Sequence, residues 1–143
     1  MKFSLVTYAT FTMIALAFTG CGSMSDVLQS KNEGTVQVYA VKVDRAWDIA
    51  VAALHWEGCD TIEEHRADGY MLTTTGGRLA SGGSLVGIWI EPVNETQTKV
   101  TVVTKRKMQS NDAIGLTESL FHRRFAQGVD IVRSGKPLPG VRP

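Results

Sequence analysis

The sequence has little cysteine, little proline and almost no excess charge. Two cysteines in 143 residues exclude a small domain held together by several disulfides, and four prolines exclude a collagen-like repeat. Fifteen basic against fourteen acidic residues argue against a nucleic-acid-binding protein, because phosphate contacts require a basic excess. The length fits one domain, and 43% hydrophobic residues suffice to build its core.

The first twenty residues have the pattern of an export signal. Lys2 supplies one positive charge, and the uncharged, mostly apolar residues 3–18 follow it. This run of 16 residues is shorter than the roughly 20 that a membrane-spanning helix needs. We therefore predict that residues 1–20 are a signal peptide, with a permanent membrane-spanning anchor as the alternative.

Residues 16–23 resemble the lipobox of bacterial lipoproteins. In that family the cysteine receives a diacylglyceryl group, the preceding peptide is removed and the new amino group is acylated. Gly20 and Cys21 match the pattern, whereas Phe18 stands where leucine is usual. The resemblance implies a Cys21 that carries acyl chains such as palmitate, and two or more chains anchor a protein stably to a membrane. An ordinary secretory cleavage that leaves Cys21 unmodified is the alternative.

The residues around Cys21 also indicate a location and a spacer. Gly22, rather than an aspartate, follows the cysteine, which resembles the lipoproteins sorted to the outer membrane. We expect a protein of the bacterial cell envelope, held in the outer membrane and facing the periplasm. Residues 21–34 are polar and have no sustained hydrophobic period. They predict a tether that carries the domain clear of the lipid headgroups.

Two amphipathic helices are predicted, one near each end of the domain. The first follows Asp44 as N-cap and ends before Gly58. Its apolar stripe consists of Trp47, Ala50, Val51 and Leu54. The second begins after Asn111 or Asp112 and ends near Arg133. Its apolar stripe consists of Ile114, Phe121, Phe125, Val129 and Val132.

Alternating apolar residues predict five strands. One strand, at 35–43, precedes the first helix, and four follow it in succession, at 60–64, 70–75, 85–91 and 98–105. Successive strands joined by short turns form an antiparallel meander, and both helix stripes must cover one apolar face. We predict a two-layer α+β domain at 35–133 with the order β-α-β-β-β-β-α and its helices on one face. Residues 134–143 contain three of the four prolines and predict a tail.

Several short runs in this domain resemble a known group of proteins. These runs are Val43-Asp44-Arg45-Ala46-Trp47-Asp48, Ile90-Glu91-Pro92 and Thr98-Lys99-Val100-Thr101-Val102. They are similar to small, mostly uncharacterised bacterial lipoproteins and, more distantly, to the helix-grip domains of the accessory lipoprotein of the β-barrel assembly machine. The resemblance implies an architecture and a location, and it transfers no catalytic residue.

The residue types that carry chemistry do not converge in the sequence. His55, His65 and His122 are isolated from one another, whereas a zinc site needs three or four converging ligands. Glu63 and Glu64 are neighbours in a strand, so their side chains point to opposite faces and cannot serve one acid–base site. We therefore expect solvated or partly packed histidines, no metal, no cofactor and no catalytic residue.

Cys59 has no partner within the chain if Cys21 is modified. No second cysteine or basic cluster near Cys59 indicates a reactive thiol, so we predict a small buried residue. A reactive or dimer-forming thiol is the alternative.

The charges are unevenly distributed along the near-neutral chain. Basic residues concentrate in the last third of the chain, namely Lys105, Arg106, Lys107, Arg123 and Arg124. They would form a basic patch for anionic headgroups or an acidic partner if the last strand ends beside the last helix. A solvated rim, or internal pairing with acidic residues, is the alternative.

These observations favour a non-enzymatic function. The leading hypothesis is a lipid-anchored envelope protein whose domain binds a protein partner or supports an envelope assembly, with no nucleic acid bound and the oligomeric state open. The second hypothesis is a carrier of a small apolar or lipid ligand in a pocket between sheet and helix. The predicted lining of that pocket is Tyr70, Met71, Trp89 and Phe125.

Overall fold

The computed structural model of the chain describes residues 23–75, 83–106 and 116–143. The helices and strands, in chain order, are α1 (Met24–Gln29), β1 (Thr35–Tyr39), α2 (Val43–Trp56), β2 (Ile62–His65), β3 (Tyr70–Thr74), β4 (Ser84–Pro92), β5 (Thr98–Arg106) and α3 (Glu118–Arg133). The predicted α+β class, with an antiparallel sheet covered by helices, is confirmed.

The five strands form one antiparallel sheet in the order β1-β5-β4-β3-β2. The strands β2 to β5 form the predicted meander, and β1 joins β5 at the far edge with Gln37 opposite Val100. The strand β1 is shorter than predicted because the chain turns after Tyr39, where Val41 N–H donates to the Tyr39 carbonyl. The helix α2 then begins at Val43, so the predicted N-cap Asp44 lies in its first turn.

The sheet has two buried faces, which we call the α2/α3 face and the α1 face after the helices that cover them. Along β4, Val86, Ile88 and Ile90 belong to the core on the α2/α3 face, whereas Leu85 and Trp89 belong to a smaller core on the other. The two predicted amphipathic helices do share one face, as expected. Their predicted stripes supply buried residues to its core, including Trp47, Ala50, Leu54, Phe121, Phe125 and Val129.

The ends of the two long helices follow local chemistry. The left-handed backbone of Gly58 (φ 79°) follows the end of α2, as predicted. The helix α3 is capped by Thr117, whose side chain accepts the Leu120 N–H at 3.2 Å, while the predicted caps Asn111 and Asp112 lie outside the described residues. The helices meet closely at Gly128, where an added Cβ would lie 2.5 Å from Ile49 Cγ2.

The prediction of a tether at 21–34 is wrong from Ser23 onward. Ser23 caps α1, its N–H donating to the Asp26 carboxylate at 2.6 Å while its hydroxyl accepts the Asp26 N–H at 3.3 Å. Val27 is fully buried against the sheet, and an added Cβ at Gly87 would lie 2.5 Å from Val27 Cγ1. A six-residue helix with one buried side chain has no repeated apolar positions, so hydrophobic periodicity could not reveal it.

The predicted tail, residues 134–143, has no helix or strand but packs onto the end of α2. Leu138 lies against the core of the α2/α3 face, and the Trp56 indole N–H donates to the Pro139 carbonyl at 2.8 Å. None of the helices in the described ranges has both the length and the apolarity needed to cross a membrane.

Candidate functional site

An open cleft lies between α2, the edge strand β2 and the C-terminal segment. We call it the tail cleft, and its volume is about 560 Å³. Its apolar lining includes Val51 and Ala52 of α2 and Leu138 of the C-terminal segment. Polar side chains also line it: Asp48, His55, Asp60, Glu64 and Arg66. A groove with an apolar lining and charged groups is suited to bind a segment or ligand that carries both kinds of group.

One wall of the tail cleft is held by the largely buried carboxylate of Glu57. Arg124 of α3 donates from Nε to one carboxylate oxygen, and Arg142 donates to the other at 3.1 Å. Arg142 also reaches the Trp56 carbonyl at 3.4 Å. A single acidic group therefore connects α2, α3 and the C-terminal segment, which keeps that segment against the cleft.

The opposite wall of the tail cleft is fixed by a group around Trp47. The Trp47 indole N–H donates to the Glu64 carboxylate, and the Arg66 guanidinium lies 5.0 Å from the centre of the indole ring. The Trp47 hydrogen bond, together with Arg66, holds the pKa of Glu64 below its usual range. Glu64 is thus a carboxylate that joins α2 to β2, and no proton-transfer role is needed to explain it.

Glu63 and Glu64 lie on opposite faces of β2, as predicted. Glu63 bonds to His65, whose ring stacks on Tyr70 at 4.6 Å on the α1 face. Glu63 is the register partner of Leu72, which belongs to the core on the α1 face, and Glu64 is the partner of Met71, which belongs to the core on the α2/α3 face.

The three histidines lie in three different environments. His55 is exposed, His65 is half-buried, and His122 is only 4% exposed. His122 is thus more deeply buried than predicted. Its ring nitrogens have hydrogen-bond partners inside the protein: Nδ1 lies 2.8 Å from the Tyr39 hydroxyl, and Nε2 lies 3.2 Å from the Thr35 carbonyl. Burial lowers the pKa of His122 and raises the pKa of Tyr39 to about 12. Among the described residues, no three His, Cys, Asp or Glu side chains come together as a metal would require.

Cys59 is fully buried, which confirms its interpretation as a packed core residue. Burial raises the pKa of its thiol to about 11, so the reactive thiolate does not form near neutral pH. Cys21, the predicted site of acylation, lies outside the described residues.

The structure does not gather the described basic residues into one patch. Lys105 is on the α1 face and pairs with Glu33 at 2.7 Å, whereas the next residue, Arg106, points to the other side of β5. Arg123 is exposed on α3, and Arg124 is committed to Glu57. Lys107 lies outside the described residues. Internal pairing, the alternative interpretation, applies to Lys105 and Arg124.

The predicted lining of a ligand pocket is wrong. Tyr70 and Trp89 lie on the α1 face, whereas Met71 and Phe125 are fully buried in the core on the opposite face. Alternation along β3 separates Tyr70 from Met71, so the four residues cannot surround one ligand. The tail cleft was not predicted, because its lining comes from residues far apart in the sequence.

The α1 face carries most of the exposed large aliphatic side chains of the described residues. Leu28 of α1 is 37% exposed, and Val36 and Val38 of β1 are each 53% exposed. Residues that are register partners on neighbouring strands point to the same face of a sheet, and Thr101 of β5 is the partner of both Val36 and Trp89. Val36 therefore lies on the α1 side together with Trp89, and Val38, two residues further along β1, lies there too. The lysines on this side are paired: Lys31 and Lys99 with Glu91, and Lys105 with Glu33.

Comparison with known proteins assigns no family to this chain. No protein-family model matches the sequence, and no curated protein matches it. Among solved structures, the chain is similar to the di-domain ARO/CYC protein StfQ from the steffimycin biosynthetic pathway, with a TM-score of 0.39 and 13% sequence identity. The match covers 71% of this chain and 44% of that protein, so this chain corresponds to less than half of its length.

Proposed function

We propose that this chain is a lipid-anchored protein of the bacterial cell envelope that acts by binding a partner protein, without catalysis, in the tail cleft. The cleft is the observation that carries the binding role. Apolar contacts with Val51, Ala52 and Leu138 would supply affinity, and the charged groups around them would orient the partner. The lipobox around Cys21 supports the location, because an acylated cysteine holds the domain at a membrane.

The partner surface has a definite chemistry. Three acidic groups, Asp48, Asp60 and Glu64, line the cleft together with Arg66 and His55. An apolar segment that carries basic residues fits this surface best, since opposite charges at a rim favour encounter and exclude wrong partners. Within the described residues β2 lies at the edge of the sheet beside β3, so it also offers backbone groups to an extended segment.

Site-specific crosslinking in intact cells tests this proposal. A photoreactive amino acid replaces Ala52 in the cleft or, as a matched control, Asp130 on the exposed side of α3. We expect one envelope protein to crosslink at position 52 but not at position 130, and Leu138→Asp to abolish that crosslink. Identical products at both positions, or no protein product at position 52, would contradict the proposal.

A second candidate function is the transport of a small apolar ligand in the same cleft. Its volume of about 560 Å³ lies within the usual range of ligand pockets, roughly 300–1,000 Å³. Native mass spectrometry after mild extraction distinguishes the two functions. A carrier retains a small molecule whose mass is absent from the Leu138→Asp variant, whereas a partner-binding domain shows the mass of the acylated chain alone.

A further inference from the structure

We propose that the α1 face lies flat against the lipid bilayer, so that the membrane surface is a second binding partner of the folded domain. This inference rests on the proposed acylation of Cys21. It goes beyond anchoring, because an anchored domain on a long spacer has no fixed orientation, whereas this proposal assigns the face that contacts lipid.

Very little chain separates the proposed anchor from the folded domain. Ser23, the cap of α1, is two residues from Cys21, and a fully extended chain spans at most about 3.5 Å per residue. The backbone of the lipid-modified Cys21 can therefore be no more than about 7 Å from that of Ser23, the α1 cap. A free tether over residues 21–34 would have allowed about 45 Å. The capping bonds between Ser23 and Asp26, and the burial of Val27, hold α1 to the sheet.

The α1 face also exposes apolar side chains that suit a lipid contact. Leu28, Val36 and Val38 expose aliphatic side chains to solvent on the side from which the acylated chain would emerge. Burial of such side chains at the boundary between headgroups and acyl chains is favourable by the same hydrophobic term that holds an amphipathic helix there. Each surface aliphatic residue alone is ordinary, but three on the face that α1 covers, with the proposed lipid anchor two residues before the cap of α1, point to a lipid contact.

The charges of this face indicate the kind of membrane it fits. Three lysines on this face share two glutamates: Lys31 and Lys99 both pair with Glu91, and Lys105 pairs with Glu33. Because these pairs leave an excess of only one positive charge, the contact should be mainly apolar and should depend little on anionic lipid. The tail cleft flanks α2, on the opposite side of the sheet, so in this orientation it opens to the aqueous side where a partner would approach.

Depth-dependent quenching tests this orientation. The full-length precursor is processed in cells, and the acylated protein is reconstituted in phosphatidylcholine vesicles that carry spin-labelled lipid. A fluorophore is attached at Val38→Cys on the α1 face or, as the matched control, at Asp130→Cys on α3. Both positions are exposed, so the labels leave the core intact, and the buried Cys59 does not compete for the label. We expect several-fold stronger quenching at position 38, with or without added phosphatidylglycerol.

The outcomes separate this inference from the proposed function. Equal quenching at the two positions, in protein that carries acyl chains and floats with the vesicles, overturns the orientation and leaves the anchor standing. Protein that lacks acyl chains and does not float with the vesicles overturns both the orientation and the proposed lipid anchor. A Val36→Ser/Val38→Ser variant should keep its acyl chains and its flotation while the quenching of a label at Leu28→Cys falls toward the value at position 130. Unchanged quenching in that variant also overturns the inference.

Discussion

The two faces of the sheet differ in how they are covered. Among the described residues, twenty buried side chains form the core on the α2/α3 face, whereas five form the core on the α1 face. The larger core carries most of the apolar area removed from water, and that area is the main stabilising term in folding. The comparison indicates that the α2/α3 face contributes more to the stability of the fold than the α1 face, which is the face of the proposed lipid contact.

The largest expected difference is between core truncations on the two faces. Phe125→Ala removes a fully buried ring on the α2/α3 face and should lower the free energy of unfolding by about 3–5 kcal/mol. Val27→Ala removes only two methyl groups under α1 and should cost about 1.5 kcal/mol. Urea denaturation of the mature domain measures both. Equal losses would show that the α1 face is as important to the fold as the opposite face.

Two glycines offer a matched pair of close contacts, one on each face. A Cβ at Gly87 would lie 2.5 Å from Val27 Cγ1, and Gly87→Ala should cost about 1–3 kcal/mol by forcing α1 off the sheet. Hydrogen exchange should then increase in α1 and stay slow in α2. Gly128→Ala meets Ile49 at the same distance, but alanine gains up to about 1 kcal/mol of helix propensity, so its net cost should be smaller. Unchanged exchange in α1 of Gly87→Ala would contradict the close packing of α1.

Loss of the Glu57 carboxylate should have a local effect, confined to one wall of the tail cleft on the α2/α3 side of the sheet. Glu57→Gln removes the charge that Arg124 and Arg142 share, and we expect a loss of about 1–2 kcal/mol. The indole of Trp56 should become more exposed as the C-terminal segment loosens, shifting its fluorescence to the red. Arg45→Gln breaks only the exposed pair with Asp48 and serves as the control without such a shift. An identical response of both variants would exclude a special role for Glu57.

The smallest expected effect is the pH dependence that His122 gives to the α2/α3 face. Burial holds its folded-state pKa below the ordinary value of 6.5, so the unfolded chain binds a proton more readily. The stability should therefore be constant above pH ~6.5 and fall as the pH drops from there toward the folded pKa. Tyr39 and Glu118 are the titratable groups that face the ring, and Tyr39 stays neutral throughout this range. His122→Gln should flatten the slope just below pH ~6.5; an unchanged slope would assign it to another group.

The same two faces explain what could be predicted from the sequence. The α2/α3 face repeats its signal: an apolar stripe in α2, another in α3 and alternation along β4 all indicate one buried surface. Gly58 marked the end of α2 by its need for a left-handed backbone. The α1 face has no repeated signal, since its central contact is Val27 on Gly87, two residues sixty positions apart. Such a contact depends on the finished sheet.

The candidate site was less predictable than the fold. The tail cleft brings Val51, Glu64 and Leu138 together from three separated parts of the chain, and the Glu57 interaction joins residues more than sixty positions apart. Individual roles were easier to predict: Cys59 is buried, and Glu63 and Glu64 lie on opposite faces of their strand. Sequence patterns report which residues share an element, whereas a cleft depends on how elements are joined.

Metabolic labelling with a fatty acid tests whether Cys21 carries acyl chains, as the proposed membrane anchor requires. Wild-type protein, Cys21→Ala and, as the matched control, Cys59→Ala are expressed in cells that are fed the labelled acid, and the purified chains are analysed. We expect label in the wild type and in Cys59→Ala, and none in Cys21→Ala. An unlabelled wild-type chain, or label that persists in Cys21→Ala, would contradict it.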